Sequence, residues 1–192
     1  KLQSSEKHEL QTSYRVIVGT NMDFREICWD SGKIISEQSQ SVRYEGQPLK
    51  SCSRYYWKVY CAAGDENAES KVNFFEMGIL DPHLWKAKWI EPEKDVDIDL
   101  RKPASYLRKC FYVREGLVRA RIYQSAHGIY HFWINGSKGT EDMFNPGFTS
   151  YYHRIQYQTC DITQMLQRGE NTWAVVLGDG WWRGTTGGAV PN

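Results

Sequence analysis

Excess charge of one sign is absent from this chain: Lys and Arg number 24, Asp and Glu 23, and the formal net charge is +1. No basic stripe stands ready to neutralise phosphates, which argues against nucleic acid as a partner. Paired cysteines are also missing. Cys28, Cys52, Cys61, Cys110 and Cys160 make an odd set with no C-x-x-C pair, so a complete disulfide framework within one chain is excluded and a zinc site is not expected. Reduced surroundings account for them most simply, and one or two bridges in a periplasm stay compatible. No apolar run approaches the roughly 18 residues of a membrane span. The polar lead-in of residues 1–11 lacks the apolar core of an export signal, which leaves the compartment open. Neither a strand-to-helix phosphate loop nor a nucleophile elbow occurs, so no cofactor is expected.

Aromatic residues are plentiful instead, with 8 Trp and 12 Tyr among 192 residues. Aromatics favour strands, and most of them here read as sandwich core. A surface that stacks on the flat apolar faces of sugars is the functional alternative. Residues 14–18 alternate and are rich in β-formers. Trp29-Asp30-Ser31-Gly32-Lys33 reads as a turn with an aromatic anchor, residues 40–44 as a second strand, and residues 53–62 as the strongest early strand. In that run Tyr55, Trp57, Val59 and Cys61 share one face and Arg54, Tyr56, Lys58 and Tyr60 the other. A short strand over 71–76 completes a small β-sandwich.

The pattern breaks at Asp81-Pro82, where Trp85 and Trp89 at i, i+4 spacing predict one helical turn that clamps two modules with its indoles. A linker follows to residue 105. A second strand series then covers 106–113, 118–125, 130–134 and 155–159, with Asn135-Gly136 supplying a turn that permits positive φ. Asp161 is expected to cap a short helix, with Gln164 at the capping-box position and Gly169 near its end. The apolar run 173–177 predicts a strand buried on both faces. The fold class is therefore all-β: a fibronectin-III-like sandwich over residues 1–80, a Trp-containing linker over 81–105, and a jelly-roll-like sandwich over 106–192, truncated at its C-terminus.

Gly178-Asp179-Gly180-Trp181-Trp182-Arg183-Gly184 is the most informative run. Two adjacent indoles among glycines predict an aromatic platform on a tight loop, followed by 187–192 without a closing element, so the chain reads as part of something longer. Trp133, on the face of its strand away from Tyr130, Phe132 and Ile134, joins Asn145, Asp179, Trp181, Trp182 and Arg183 as candidate residues for carbohydrate binding or for packing against another domain.

Several motifs now fall in one order. The first half carries Tyr14-Arg15-Val16, Trp29-Asp30-Ser31-Gly32-Lys33, Tyr44 with Pro48-Leu49, Tyr56-Trp57-Lys58-Val59 and Phe75-Glu76-Met77-Gly78. It resembles the fibronectin-type-III-like domain at the front of bacterial α-L-rhamnosidases. The second half carries Leu107-Arg108-Lys109, Gly128-x-Tyr130, Asn135-Gly136, Asn145-Pro146-Gly147-Phe148-Thr149, Asp161-Ile162-Thr163, Gly169-x-Asn171 and Gly180-Trp181-Trp182-Arg183-Gly184. It is similar to the N-terminal β-sandwich domain of the same enzymes, glycoside hydrolase family 78. Each motif alone is weak; their order and spacing carry the resemblance.

The resemblance implies a parent enzyme that removes terminal α-L-rhamnose from glycosides with inversion. Inversion needs an acid and a base about 6.5–9.5 Å apart to admit the attacking water. In the family these carboxylates lie in an (α/α)₆ barrel, for which this chain has no long amphipathic helices, so no catalytic residue is carried over. The acids present offer no convincing pair: Glu141 and Asp142 are adjacent and point apart, Asp161 reads as a cap, Asp179 as loop structure and Glu76 as a strand end. His127 and His131 lack further metal ligands in view. The expected partners are rhamnosylated glycosides, through the parent enzyme, and the missing catalytic domain. A free-standing carbohydrate-binding protein and a cell-surface adhesion module are the alternatives.

Overall fold

The computed structural model describes residues 10–91 and 103–183. Contacts divide the chain into two compact units, Lys1–Lys88 and Trp89–Asn192. The described residues are almost entirely strands and loops, so the chain is all-β.

The first unit is organised on two long strands. β1 (Ser13–Gly19) runs antiparallel to β4 (Arg54–Ala63), in register from Ser13 opposite Ala62 to Gly19 opposite Tyr56. β2 (Ile27–Asp30) and β3 (Ile34–Ile35) pair with successive parts of the outer edge of β1. β5 (Glu66–Glu69) and β6 (Asn73–Glu76) do the same on β4. Alternation sends Tyr14, Val16, Trp57 and Val59 to one face. Residues 38–42 lie over that face and leave a groove of about 330 Å³ between them and it.

That covering segment is not the expected strand. Ser41 takes a positive φ of 55°, which interrupts an extended run. Side-chain amides hold the segment in place of a ladder: Gln11 Nε2 donates to the carbonyls of Ser36 (3.1 Å) and Gln38 (2.8 Å), and Gln38 Nε2 donates to that of Gln40 (3.1 Å). Trp29 also departs from its turn assignment, since it lies within β2 and meets Tyr44 edge-on at 5.2 Å. The opposite face is charged. Arg15 makes a bidentate pair with Asp30, Lys58 reaches Glu69 at 2.8 Å, and Arg54 pairs with Glu76 at 2.7 Å while its guanidinium sits 4.1 Å from the centre of the Phe74 ring.

The helical turn after the first sheet is shorter than expected. It covers only Pro82–Leu84, with the Asp81 carboxylate accepting from the His83 N–H at 2.9 Å, and Trp85 is already extended. Trp89 lies outside the turn, so the two indoles share no helical face.

The second unit is a sandwich of unequal layers. β7 (Ser105–Val113), β9 (Ile129–Ile134), β10 (Ser137–Lys138) and β12 (Gly169–Gly178) form an antiparallel sheet in the order β10-β9-β12-β7. β8 (Arg121–Gln124) and β11 (Gln158–Asp161) form the second sheet. Tyr130, Phe132, Ile134, Ile162 and Val175 are the buried core, and Ile122, Cys160, Leu107 and Trp173 pack against it. β12 is paired on both edges, but its apolar run is not buried on both faces as expected: within 173–177 only Val175 is buried, because the second sheet covers one face alone. All five cysteines are free thiols.

A buried asparagine closes this unit at one end. Asn171 Oδ1 accepts from Asn135 Nδ2 (2.8 Å) and the Gln167 N–H (2.9 Å), and its Nδ2 donates to the carbonyls of Gln167 (2.7 Å) and Gly169 (3.0 Å). Asn135 and Gly136 both adopt positive φ in the β9–β10 hairpin.

Three local expectations shift. β8 begins at Arg121, because the Ala120 N–H is taken by Thr163 Oγ1 at 2.9 Å and Val118 is left exposed. β11 begins at Gln158, because the N–H groups of His153 and Arg154 both return to the Ser150 carbonyl (2.8 and 2.9 Å) and the chain is still turning there. The helix after Asp161 is a single 3₁₀ turn, Thr163–Met165, whose N-cap position is Ile162. The Asp161 carboxylate still accepts from the Thr163 N–H (2.9 Å), while Gly169 opens β12 instead of closing a helix.

Candidate functional site

Three segments meet at the end of the second sandwich where β9 begins and β12 stops, with Ile129 opposite Gly178. The first is the bend before β9. Gly128 has φ of 91°, and a Cβ there would fall 2.2 Å from the Gly178 carbonyl oxygen, so only glycine permits this approach. The second is the loop 144–152, which the Tyr130 N–H ties to β9 by donating to the Asn145 carbonyl at 2.8 Å. Its Asn145–Pro146 peptide is cis, Pro146 is fully buried, and Gln158 Nε2 donates to the Pro146 carbonyl at 3.0 Å. The third is α1, a single turn over Gly180–Arg183. The Trp182 N–H donates to the Asp179 carbonyl at 3.0 Å, and Arg183 Nε lies 3.6 Å from the Asp179 carboxylate, so Asp179 holds its own loop.

Aromatic rings fill the space among these segments. His127 lies nearly parallel to Trp182 (4.1 Å between ring centres, 12°) and to Trp89 (4.5 Å, 8°). Two indoles this close to one imidazole cannot share a face, so the histidine is sandwiched between them. Burial pushes the His127 pKa down, favouring the neutral ring. Tyr151 meets Trp182 edge-on at 5.6 Å and Phe148 at 6.4 Å. Phe148 and Phe144 flank Trp181 at 5.8 and 5.9 Å. Tyr152 leans on Trp182 at 5.9 Å. Trp181 and Trp182 thus divide between two groups of rings, because a helical turn points consecutive side chains in different directions.

Polar groups beneath this surface are left without partners. Asn145 Nδ2, Thr149 Oγ1 and Tyr151 OH are shut off from solvent and have no hydrogen bond among the described residues. Burial also pushes the Tyr151 phenol up. Of the six residues expected from sequence, Asn145, Asp179, Trp181, Trp182 and Arg183 come together here. Trp133 does not: the alternation of β9 places it opposite Ala174 on the face away from Tyr130, half-buried and beside His131 at 6.3 Å. His127, Trp89, Phe144, Phe148, Tyr151 and Tyr152 are the site residues that sequence reasoning missed. The aromatic spacing around Asn145-Pro146-Gly147 was the available signal.

Three carboxylates of this unit are engaged elsewhere. Asp161 pairs with Arg121 at 2.7 Å, Glu141 with Lys138 at 3.2 Å, and Glu115 with Arg168. The Thr163 hydroxyl and N–H, helped by Arg121, hold the Asp161 carboxyl below the usual carboxylate range. A general acid needs the opposite shift.

Comparison with known proteins places this architecture. The model described as "Rha78A-like, N-terminal immunoglobulin domain" matches residues 1–81, and that described as "Alpha-L-rhamnosidase N-terminal domain" matches residues 115–190. An alpha-L-rhamnosidase of Formosa agariphila is 36% identical over 189 residues, covering 92% of this chain and 20% of its own length. The solved structure of the alpha-L-rhamnosidase from Dictyoglumus thermophilum aligns with a TM-score of 0.84 and 34% identity, over 94% of this chain and 22% of that one. The Aspergillus terreus alpha-L-rhamnosidase structure also gives a TM-score of 0.84, at 26% identity over 94% and 21%. The chain therefore spans about a fifth of the length of the relatives it matches, and it belongs to the α-L-rhamnosidase family, glycoside hydrolase family 78, as an N-terminal region.

Proposed function

We propose that this chain is the non-catalytic front of an enzyme that hydrolyses terminal α-L-rhamnose from glycosides with inversion, and that its two modules scaffold the (α/α)₆ catalytic domain. In this reading the modules cover residues 1–80 and 106–192, joined by the Trp-bearing connector 81–105. The observation that carries the reading is the coverage: rhamnosidase relatives match this chain almost throughout yet extend to about five times its length, as 92% against 20% implies. The state of the carboxylates supports it. Asp161 and Glu141 are paired with cations, and Asp161 is biased toward the ionised form, so neither is set to donate a proton to a leaving glycosidic oxygen.

Residues 1–192 should release no nitrophenol from a nitrophenyl α-L-rhamnoside, whereas the longer protein encoded by the same gene should release it readily. Robust turnover by residues 1–192 would defeat the reading.

A further inference from the structure

We propose that the surface formed by Phe144, Phe148, Tyr152 and Trp181 is the docking face for the catalytic polypeptide of the longer protein, and is not a sugar-binding platform. The proposal rests on the function proposed above and names the surface through which the scaffold acts.

Ring geometry argues against a sugar. A pyranose stacks on an open ring face, and neighbouring platform rings must present their faces together. Here Phe144 meets Trp181 at 59°, Phe148 meets Trp181 at 65°, and Phe148 meets Tyr151 at 85°. Rings turned in this way present edges to one another, so Phe144 and Phe148 form no shared flat platform with Trp181. Trp182 has one face taken by His127 at 4.1 Å.

Exposure argues for a protein partner. Phe148 is 70% exposed, Tyr152 76% and Phe144 56%, with Met143 alongside them. A contiguous apolar surface from one loop and one helical turn marks an interaction site. The length of the relatives supplies the occupant: about four-fifths of the Formosa protein lies outside the matched part, and α1, which carries Trp181 into this cluster, is the last described element.

Amide hydrogen exchange over residues 144–152, compared between the 192-residue chain and the longer protein, tests the proposal. Exchange should slow by at least about ten-fold in the longer protein, and Phe148→Ser/Tyr152→Ser should restore fast exchange there while leaving the melting curve of the 192-residue chain unchanged. Equal exchange in the two proteins would overturn the proposal. So would saturable quenching of tryptophan fluorescence by L-rhamnose in the 192-residue chain that Phe148→Ala abolishes, which would make the surface a sugar site. Self-association of the 192-residue chain that the double variant abolishes, with no added protection in the longer protein, would assign the face to a second copy and overturn it too. Rhamnosidase activity of the longer protein, read in the same preparation, separates the two ideas: an active protein with unprotected residues 144–152 refutes docking alone, and a protected but inactive one refutes the function alone.

Discussion

In the first unit the apolar face of β1 and β4 is covered by an irregular segment held through Gln11 and Gln38, and the other face carries ion pairs and aromatic rings. In the second unit the face of β9 and β12 is covered by another sheet, and exposed aromatic rings meet at the end of the sandwich that carries α1, while Tyr106, Tyr112 and Val118 are exposed as well. Both units leave apolar side chains exposed, Ile35 and Phe74 among them in the first; the second differs in that Phe144 and Phe148 meet Trp181 at one end. A charged sheet face is poor ground for a stable interface, because each ion must lose its water. An end rimmed by aromatic rings loses little on being covered.

The largest effect should come from the unequal cores. Phe132→Ala empties a fully buried site in the second unit and should cost about 3–5 kcal/mol. Val18→Ala in the first unit removes a smaller buried side chain and should cost about 2 kcal/mol. Denaturant unfolding followed by hydrogen exchange should place the two losses in separate transitions, and a single shared shift would break the comparison.

The polar clamps come next. Asn171→Ala leaves the Gln167 N–H and the carbonyls of Gln167 and Gly169 without their partner and should cost about 2 kcal/mol, with loss of protection around residues 165–171. Gln11→Ala removes only the two bonds to the covering segment. It should cost about 1 kcal/mol and speed exchange over 36–42 while leaving β1 protected. Equal costs would show that the covering segment is as tightly held as the buried asparagine.

Acid sensitivity should differ least. A hydrogen bond from Arg15 holds the Asp30 carboxyl low, and the bonds from Thr163 hold that of Asp161 low. A carboxyl depressed in the folded state stabilises above the ordinary carboxylate value, near pH 4, and that contribution is lost as pH falls through the folded value. Asp30→Asn and Asp161→Asn should each flatten the melting-temperature profile below about pH 4 by well under about 1 kcal/mol, since both pairs are solvent-screened. A steeper profile in either variant would contradict the assignment.

The sequence was most readable where periodicity and pairing agree. β1, β4, β7 and β9 stand close to where alternation puts them, β12 contains the apolar run 173–177, and the Asn135-Gly136 hairpin follows from its residue types. Residues 40–44 misled because their composition suits a strand while Ser41 turns the backbone and glutamine amides satisfy it. Five of the six site residues were legible because Asn145 and the Gly-Asp-Gly-Trp-Trp-Arg run are locally distinctive. His127 was not, since its role depends on two indoles far from it in sequence. Trp133 misled because an aromatic residue on the outer face of a strand reads the same whichever end of the sheet carries the cluster.

By itself the sequence determined the long strands, the Asn135-Gly136 turn and the family, because these rest on local pattern and on the order of motifs along the chain. Only the tertiary structure decided that loop 144–152, the Gly128 bend and α1 meet at one end and that their rings pack edge-on. Packing of this kind is set by which strand ends lie side by side, and backbone pairing between distant segments leaves no periodic trace in the residues that it brings together.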